Sequence, residues 1–288
     1  MPSAGRIVFV DVDARRVVDA VSVPRGPGPV AASIDGSCVL VANTRLGVVT
    51  QIDGIHARWV RRFVGLGRPV ALAIVAQPQV GLVRPRYAVV ADARGWIDLL
   101  DLATGRVASR MRVARPTAVT LENGRLWVAS ARSATVTQFD LSIPTHPRLL
   151  GRARVAAPTA ALTPFETSSA AGVDVISPQG ALMQVDGYLL TSKTIRRLPG
   201  RFTQLLEGYD SVVWAAASDG RLLGVRTSGK RAPYVMHVPR ASQLAIVGGW
   251  LAAAQGHTLR MFALGTHRRA RTIQLPGRAT AIAFAVLP

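Results

Sequence analysis

Short apolar runs of about six residues recur along the whole chain, each broken by a polar turn, and none has the three-to-four spacing of an amphipathic helix. Residues 116–121 (PTAVTL) predict a strand, ENG a tight turn and 125–130 (RLWVAS) a second strand. Residues 134–140 (ATVTQFD) alternate as a third strand, and 147–155 (PRLLGRARV) predict a fourth. Turn signals stand where hairpins need positive φ, at Asp35-Gly36, Asn123-Gly124, Gln179-Gly180 and Asp219-Gly220. A turn followed by an Ala/Val/Thr-rich run opens each unit, at Pro29-Val30, Pro69-Val70, Pro116-Thr117 and Pro158-Thr159. Weaker copies start at Phe202-Thr203, Ala241-Ser242 and Ala279-Thr280, so the intervals run from 38 to 47 residues. That length suits four short strands and their turns.

Four antiparallel strands per repeat describe the blade of a β-propeller. The expected fold class is therefore all-β, with residues 1–288 forming a single propeller domain. Named A to D from the central channel outward, the strands begin with a C strand at residues 6–12 and a D strand at 14–24. They end on an A strand at 279–287 (ATAIAFAVL), so the two ends of the chain would share one closing blade. The count gives seven blades, with six as the alternative. The shared blade has no evident B strand: either closure is three-stranded, or the true start lies upstream of Met1 together with a signal or anchor.

Residues 37–53 (SCVLVANTRLGVVTQID) and 96–108 (WIDLLDLATGRVA) resemble the repeat of YVTN-type propellers, related to surface-layer, NHL-like and WD40-like repeats. The resemblance covers nearly the whole chain as a pattern and implies the fold. It leaves function open, because this fold hosts enzymes, receptors and scaffolds. Ile34-Asp35-Gly36 stands where the motif has Ser-Pro-Asp-Gly.

Hydrophobic residues make up 49% and mean hydropathy is +0.26, which excludes a disordered chain. One cysteine, Cys38, excludes a disulfide framework and reads as a small buried hydrophobe. No apolar run is long enough for a transmembrane helix. The N-terminal residues lack a signal-peptide pattern, so the expected compartment is cytoplasmic, or exported if the start is truncated. A monomer is expected.

Charge adds more. Lys+Arg total 35 against 16 Asp+Glu, a net +19, and only Lys193 and Lys230 are lysines. Arginines crowd the D-strand spans, with pairs such as Arg110/Arg112, Arg152/Arg154 and Arg269/Arg271 two residues apart and so on one face. Two readings stand: protection of the outer sheet edge, or a basic girdle offering non-specific polyanion binding. Aromatics are 6% and none alternates with the girdle, which argues against nucleic-acid specificity.

In the loop from D to the next A, one position repeats as Arg68, Arg115, Arg201, Arg240 and Arg278. The B strands end at the same mouth of the channel on small polar residues: Asn43, Asp92, Ser130, Ser177, Ser218 and Gln255. Guanidinium forks backed by hydroxyl and amide groups suit a carboxylate, phosphate or sulfate. The expected partner is therefore an acidic protein or a small anionic ligand. The plainer alternative is that these arginines satisfy turn carbonyls and face outward. Asp92 is expected to pair with Arg68 or Arg115 if it neutralises part of the ring.

No phosphate-binding glycine loop, nucleophile elbow or metalloprotease helix occurs. A positive mouth opposes cation binding, and no metal or cofactor is expected. His257, in a B–C turn, with Asp92 forms the weak catalytic pair of an alternative reading, a propeller lyase or hydrolase acting on an anionic small molecule. The leading expectation is a non-catalytic binding or scaffolding module. Long A–B connections at 77–86 and 163–172 should lie on the face opposite the arginines and carry partner contacts. The five tryptophans are expected to pack between blades.

Overall fold

The computed structural model describes residues 5–75, 85–131, 133–166, 171–208, 212–227, 232–238, 243–247, 249–264 and 268–283. The chain opens with an antiparallel hairpin, β1 (Gly5–Asp11) and β2 (Arg16–Val23). Blade 1 is β3 (Val30–Ala32), β4 (Cys38–Asn43), β5 (Val48–Asp53) and β6 (Arg58–Phe63). Blade 2 is β7 (Pro69–Ile74), β8 (Tyr87–Asp92), β9 (Trp96–Asp101) and β10 (Arg106–Arg112). Blade 3 is β11 (Pro116–Glu122), β12 (Arg125–Ser130), β13 (Thr135–Asp140) and β14 (Arg148–Arg154). Blade 4 is β15 (Ala161–Glu166), β16 (Ala171–Ile176), β17 (Ala181–Asp186) and β18 (Ser192–Arg197). Blade 5 is β19 (Phe202–Glu207), β20 (Val212–Ala217), β21 (Arg221–Arg226) and β22 (Tyr234–His237). Blade 6 is β23 (Gln243–Val247), β24 (Trp250–Gln255), β25 (Thr258–Ala263) and β26 (Arg268–Gln274). Each blade is one antiparallel sheet in chain order, A to D.

The inner strands read as unbroken apolar runs because both faces of each blade are covered. In β8 the even residues Ala88 and Val90 join a cluster with Leu40, Val49 and Phe63 of blade 1. Its odd residues Val89 and Ala91 join Leu126, Val128 and Phe139 of blade 3. A strand's two-residue period thus sends neighbouring side chains into two different seams. The D strands have no outer neighbour, and their residues are largely exposed.

Six four-stranded blades and one two-stranded hairpin stand, among the described residues, where seven blades were expected. Among the described residues, 279–283 lie in no ladder, and 284–287 fall outside them. The reason is topological: an A strand pairs only through B, and the closing unit supplies C and D alone. The hairpin closes the ring by side-chain packing instead. Ile7 and Phe9 of β1 meet Val39, Val41 and Ile52 of blade 1. Val10 and Val12 meet Met261 and Ile273 of blade 6, joined there by Ile282. Arg271 ties the two by donating to Val12 O at 3.0 Å and to Asp13 Oδ1 at 3.1 Å.

The hairpin is nonetheless built like the C–D pairs. Its register shifts at Phe9/Val10, matching bulges at Gln51/Ile52, Gln138/Phe139 and Met261/Phe262. Its C strand ends on Asp11, whose carboxylate accepts the N–H of Asp13 and Ala14. Asp53, Asp101 and Asp186 close their C–D turns in the same way. Four residues after each aspartate the backbone turns left-handed, at Arg15, Ala57, Gly105 and Leu190. This repeated Asp-x-x-x-turn was visible in the sequence and is a better marker of the unit than the Asp-Gly pairs.

Candidate functional site

In a sheet ordered A to D, the B–C turns and D–A loops share one end of the ring, and the A–B and C–D turns share the other. The predicted mouth residues all belong to the first end. Arg68, Arg115, Arg201 and Arg278 are exposed there, and Arg240 lies outside the described residues. Three are fixed through their backbones. The carbonyls of Arg68, Arg115 and Arg201 accept the N–H of Ala93, Ala131 and Ser218 at 3.0, 3.1 and 2.7 Å. Each D–A loop is thereby bonded to the B–C turn of its own blade. At the fourth, Ala279 N–H donates to Gly256 O at 2.8 Å, next to Arg278.

The polar residues do not back the guanidinium groups as an open ring. Asn43 is buried, donating through Nδ2 to Arg25 O at 2.7 Å and accepting from Leu46 N–H at 2.9 Å. Ser130 donates to Ala114 O, and Ser177 accepts from Ala181 N–H at 3.0 Å. Asp92 takes backbone N–H from Arg68 at 2.8 Å and Arg94 at 3.0 Å, and its other oxygen meets Arg94 Nε at 3.1 Å. The expected pairing with the Arg68 or Arg115 side chain is replaced by the neighbouring Arg94, which the B–C turn delivers two residues on. Burial opposes ionisation of Asp92, yet those backbone N–H groups and the Arg94 guanidinium hold its carboxyl below the usual carboxylate value. Buried polar groups are thus committed to closing loops, as satisfaction requires. Only Ser218 is exposed; Gln255 has its Oε1 buried without a hydrogen-bond partner.

Ser218, whose N–H is held by the Arg201 carbonyl, lines a cleft of about 400 Å³ between blades 5 and 6. It is lined by Thr203, Gln204, Ser218, Arg221 and Gln243, among others. The two glutamines are hydrogen-bonded to each other, and Gln204 Oε1 also accepts from Leu244 N–H at 3.0 Å. Arg221 is held by Asp219 at 2.8 Å and Pro199 O at 3.0 Å. Gln204, Arg221 and Gln243 carried no sequence signal, since the cleft forms only when blades 5 and 6 are set side by side.

His257 and Asp92 stand at the B–C ends of blades 6 and 2, and Asp92 is engaged by three donors. Among the described residues, no three His, Cys, Asp or Glu side chains gather as a metal site. Cys38 is buried. Trp127 and Trp214 pack between blades, but Trp59 and Trp96 are 52% and 36% exposed, contrary to expectation. Trp96 opens a C strand at the arginine-bearing end, with the Arg112 guanidinium 4.4 Å and the Arg110 guanidinium 5.4 Å from its ring centre. The connection at 163–172 shrinks to 167–170, because Thr163–Glu166 and 171–172 continue β15 and β16; 167–170 and 76–84 lie outside the described residues.

One buried carboxyl lies at neither end. Asp174 of β16 is buried in the blade 4–5 seam, accepting from Gln184 Nε2 at 3.2 Å while its Oδ2 has no hydrogen-bond partner. Burial, with Glu207 adding to it, pushes its pKa up to about 7 against the pull of Gln184 and Lys193.

No family model matches the chain, and a search of curated proteins finds no match. Among solved structures, the chain is similar to the Cps50 (Swd1) β-propeller domain of Myceliophteria thermophila, at 17% identity and a TM-score of 0.68. The likeness covers 90% of this chain and 89% of that one. Architecture, ladder order and this likeness agree that the chain is an all-β propeller.

Proposed function

We propose that this propeller is a non-catalytic binding module whose B–C/D–A end receives an acidic partner or an anionic ligand. One observation carries the reading: in four described units the same loop position holds an exposed arginine, three held by their own backbone carbonyls and Arg278 through its neighbour Ala279. Its polar neighbours Asn43, Asp92, Ser130 and Ser177 are already engaged in the loops. What the end offers to solvent is therefore guanidinium, a planar donor fork suited to carboxylate and phosphate. Arg201, exposed and bonded through its backbone carbonyl to the cleft residue Ser218, is the arginine we assign to the contact with a small anion. The hairpin serves as an incomplete seventh unit that keeps these loops in a closed ring.

The test is thermal unfolding against phosphate, sulfate, citrate and nucleotides at fixed ionic strength, since a ligand of the native state raises the midpoint. A selective rise with one anion, lost in the Arg201→Ala/Arg278→Ala protein, is expected. An equal rise in that double variant would remove these arginines from the site.

A further inference from the structure

The two ends of the ring differ in how their charge is balanced. At the B–C/D–A end, Arg45, Arg94, Arg68, Arg115, Arg201 and Arg278 are exposed. The outer strands add exposed Arg62, Arg112, Arg154 and Arg197 where they run into the D–A loops. Among the described residues, the acids of the turns and loops at this end are Asp92, which is buried and paired with Arg94, and Asp219, paired with Arg221. At the other end, Asp53, Asp101, Asp140 and Asp13 pair with Arg58, Arg86, Arg148 and Arg271. Among the described residues, ten exposed arginines thus stand at the B–C/D–A end against two aspartates that are already paired.

Exposed apolar side chains follow the opposite division. Ile34, Ile55, Ile143, Tyr188 and Leu189 project from the A–B and C–D turns. Among the described residues, Leu46, Val64 and the edge of Trp96 are the large apolar side chains that the turns and loops of the arginine-bearing end show. A protein partner binds through a desolvated aromatic or aliphatic centre with a polar rim, and a bilayer takes up apolar tips beside its basic contacts. This face has neither in quantity. A phosphodiester backbone needs no apolar centre: it is held by cations repeated along it and by release of its condensed counterions.

We infer that the arginine-bearing end binds nucleic acid through its phosphate backbone, without reading sequence. This rests on the reading of that end as the binding surface and names its partner. Arg62, Arg112, Arg154 and Arg197 recur at the ends of four successive outer strands, three of them leading into the loops of Arg68, Arg115 and Arg201, so the contact extends over several blades. Trp96, flanked by Arg110 and Arg112, adds one ring against which a base or sugar can rest.

The experiment is fluorescence anisotropy with labelled mixed-sequence duplex DNA, run beside polyglutamate and phosphatidylglycerol vesicles. Two variants of equal charge are compared: Arg68→Ser/Arg115→Ser/Arg201→Ser/Arg278→Ser at one end, and Arg16→Ser/Arg58→Ser/Arg106→Ser/Arg148→Ser at the other. Thermal unfolding confirms that both are folded. The native protein should bind duplex with affinity falling about 10³-fold between roughly 50 and 200 mM salt, the behaviour of some six phosphate contacts. The first variant should bind about a hundredfold more weakly and lower the log–log salt slope by about four, and the second should change little. Equal losses in both variants would overturn the proposal, since net charge and not this face would then be the cause. Polyglutamate binding as tightly as duplex, with the same loss in the first variant, would overturn nucleic acid as partner and leave the acidic-partner reading standing. Binding to vesicles alone would likewise replace nucleic acid by a membrane surface. No binding to any of the three polyanions would overturn both readings.

Discussion

The two ends of this propeller use aspartate and arginine for opposite purposes. At the C–D end, Asp53, Asp101 and Asp186 sit at the last position of a C strand, cap the following turn, and leave apolar tips such as Tyr188 and Leu189 in solvent. At the B–C end, polar side chains turn inward to tie a D–A loop to its own blade, and the arginines are left outside. The lesson is that a small polar residue ending a strand is first of all a way to satisfy buried backbone. The exposed residue beside it, which nothing inside the fold requires, is the better guide to a ligand.

The largest effect is expected at neither end and sets the scale for both. Asp174 has a folded pKa raised from 3.8 to about 7, so its burial is tolerated below pH 4 and costs progressively more as pH rises through 7. The full cost above that range is on the order of 4 kcal/mol. Asp92, Asp101, Asp140 and Asp186 are shifted downward instead, so their contributions are lost only in acid. Urea unfolding at pH 5 and pH 8.5 should therefore show a loss of stability with pH that is absent in Asp174→Asn. A loss that persists unchanged in that variant would assign the pH dependence to a group other than Asp174.

Next comes the direct contrast between ends. Asp92→Ala should cost about 2 kcal/mol, because it removes a buried acceptor from two backbone N–H groups, while the exposed Arg94 guanidinium turns to water. Asp140→Ala, in a more exposed C–D turn, should cost about 0.5–1 kcal/mol. Denaturant midpoints that reverse this order would break the division drawn here. Ser130→Ala, which removes a single bond to Ala114 O, should cost about 1 kcal/mol. Smallest of all, Tyr188→Ser with Leu189→Ser should stay within about 0.5 kcal/mol of the native protein, since both are more than two-thirds exposed. A larger loss would mean that these tips brace the ring.

Much of the blade was legible beforehand. Strands read at 116–121 and 125–130 are β11 and β12, and Asn123-Gly124 indeed turns between them with both φ positive. The opening C–D hairpin, expected at 6–12 and 14–24, forms at Gly5–Asp11 and Arg16–Val23. The final strand, expected at 279–287, joins no ladder over 279–283, because an apolar run says that a segment can pair and not that a partner exists beside it. Of the mouth residues, Arg68, Arg115, Arg201 and Arg278 reached the expected end and stayed exposed. Asn43, Asp92, Ser130 and Ser177 reached it too, but turned inward. Sequence position fixes which end of a strand a residue occupies; the direction of its side chain depends on which carbonyl or N–H the neighbouring loop leaves unsatisfied.

By itself, then, the sequence determined the repeating unit, because strand period, turn chemistry and repeat length are local properties written within about forty residues. It also determined the excess of arginine. Only the tertiary structure decided how many units become four-stranded, since closure brings together residues from the two ends of the chain. Only that structure gathered the arginines of separate blades on one face and paired the aspartates of the other. Those distances are set by the stacking of blade on blade, and no segment of the chain contains them.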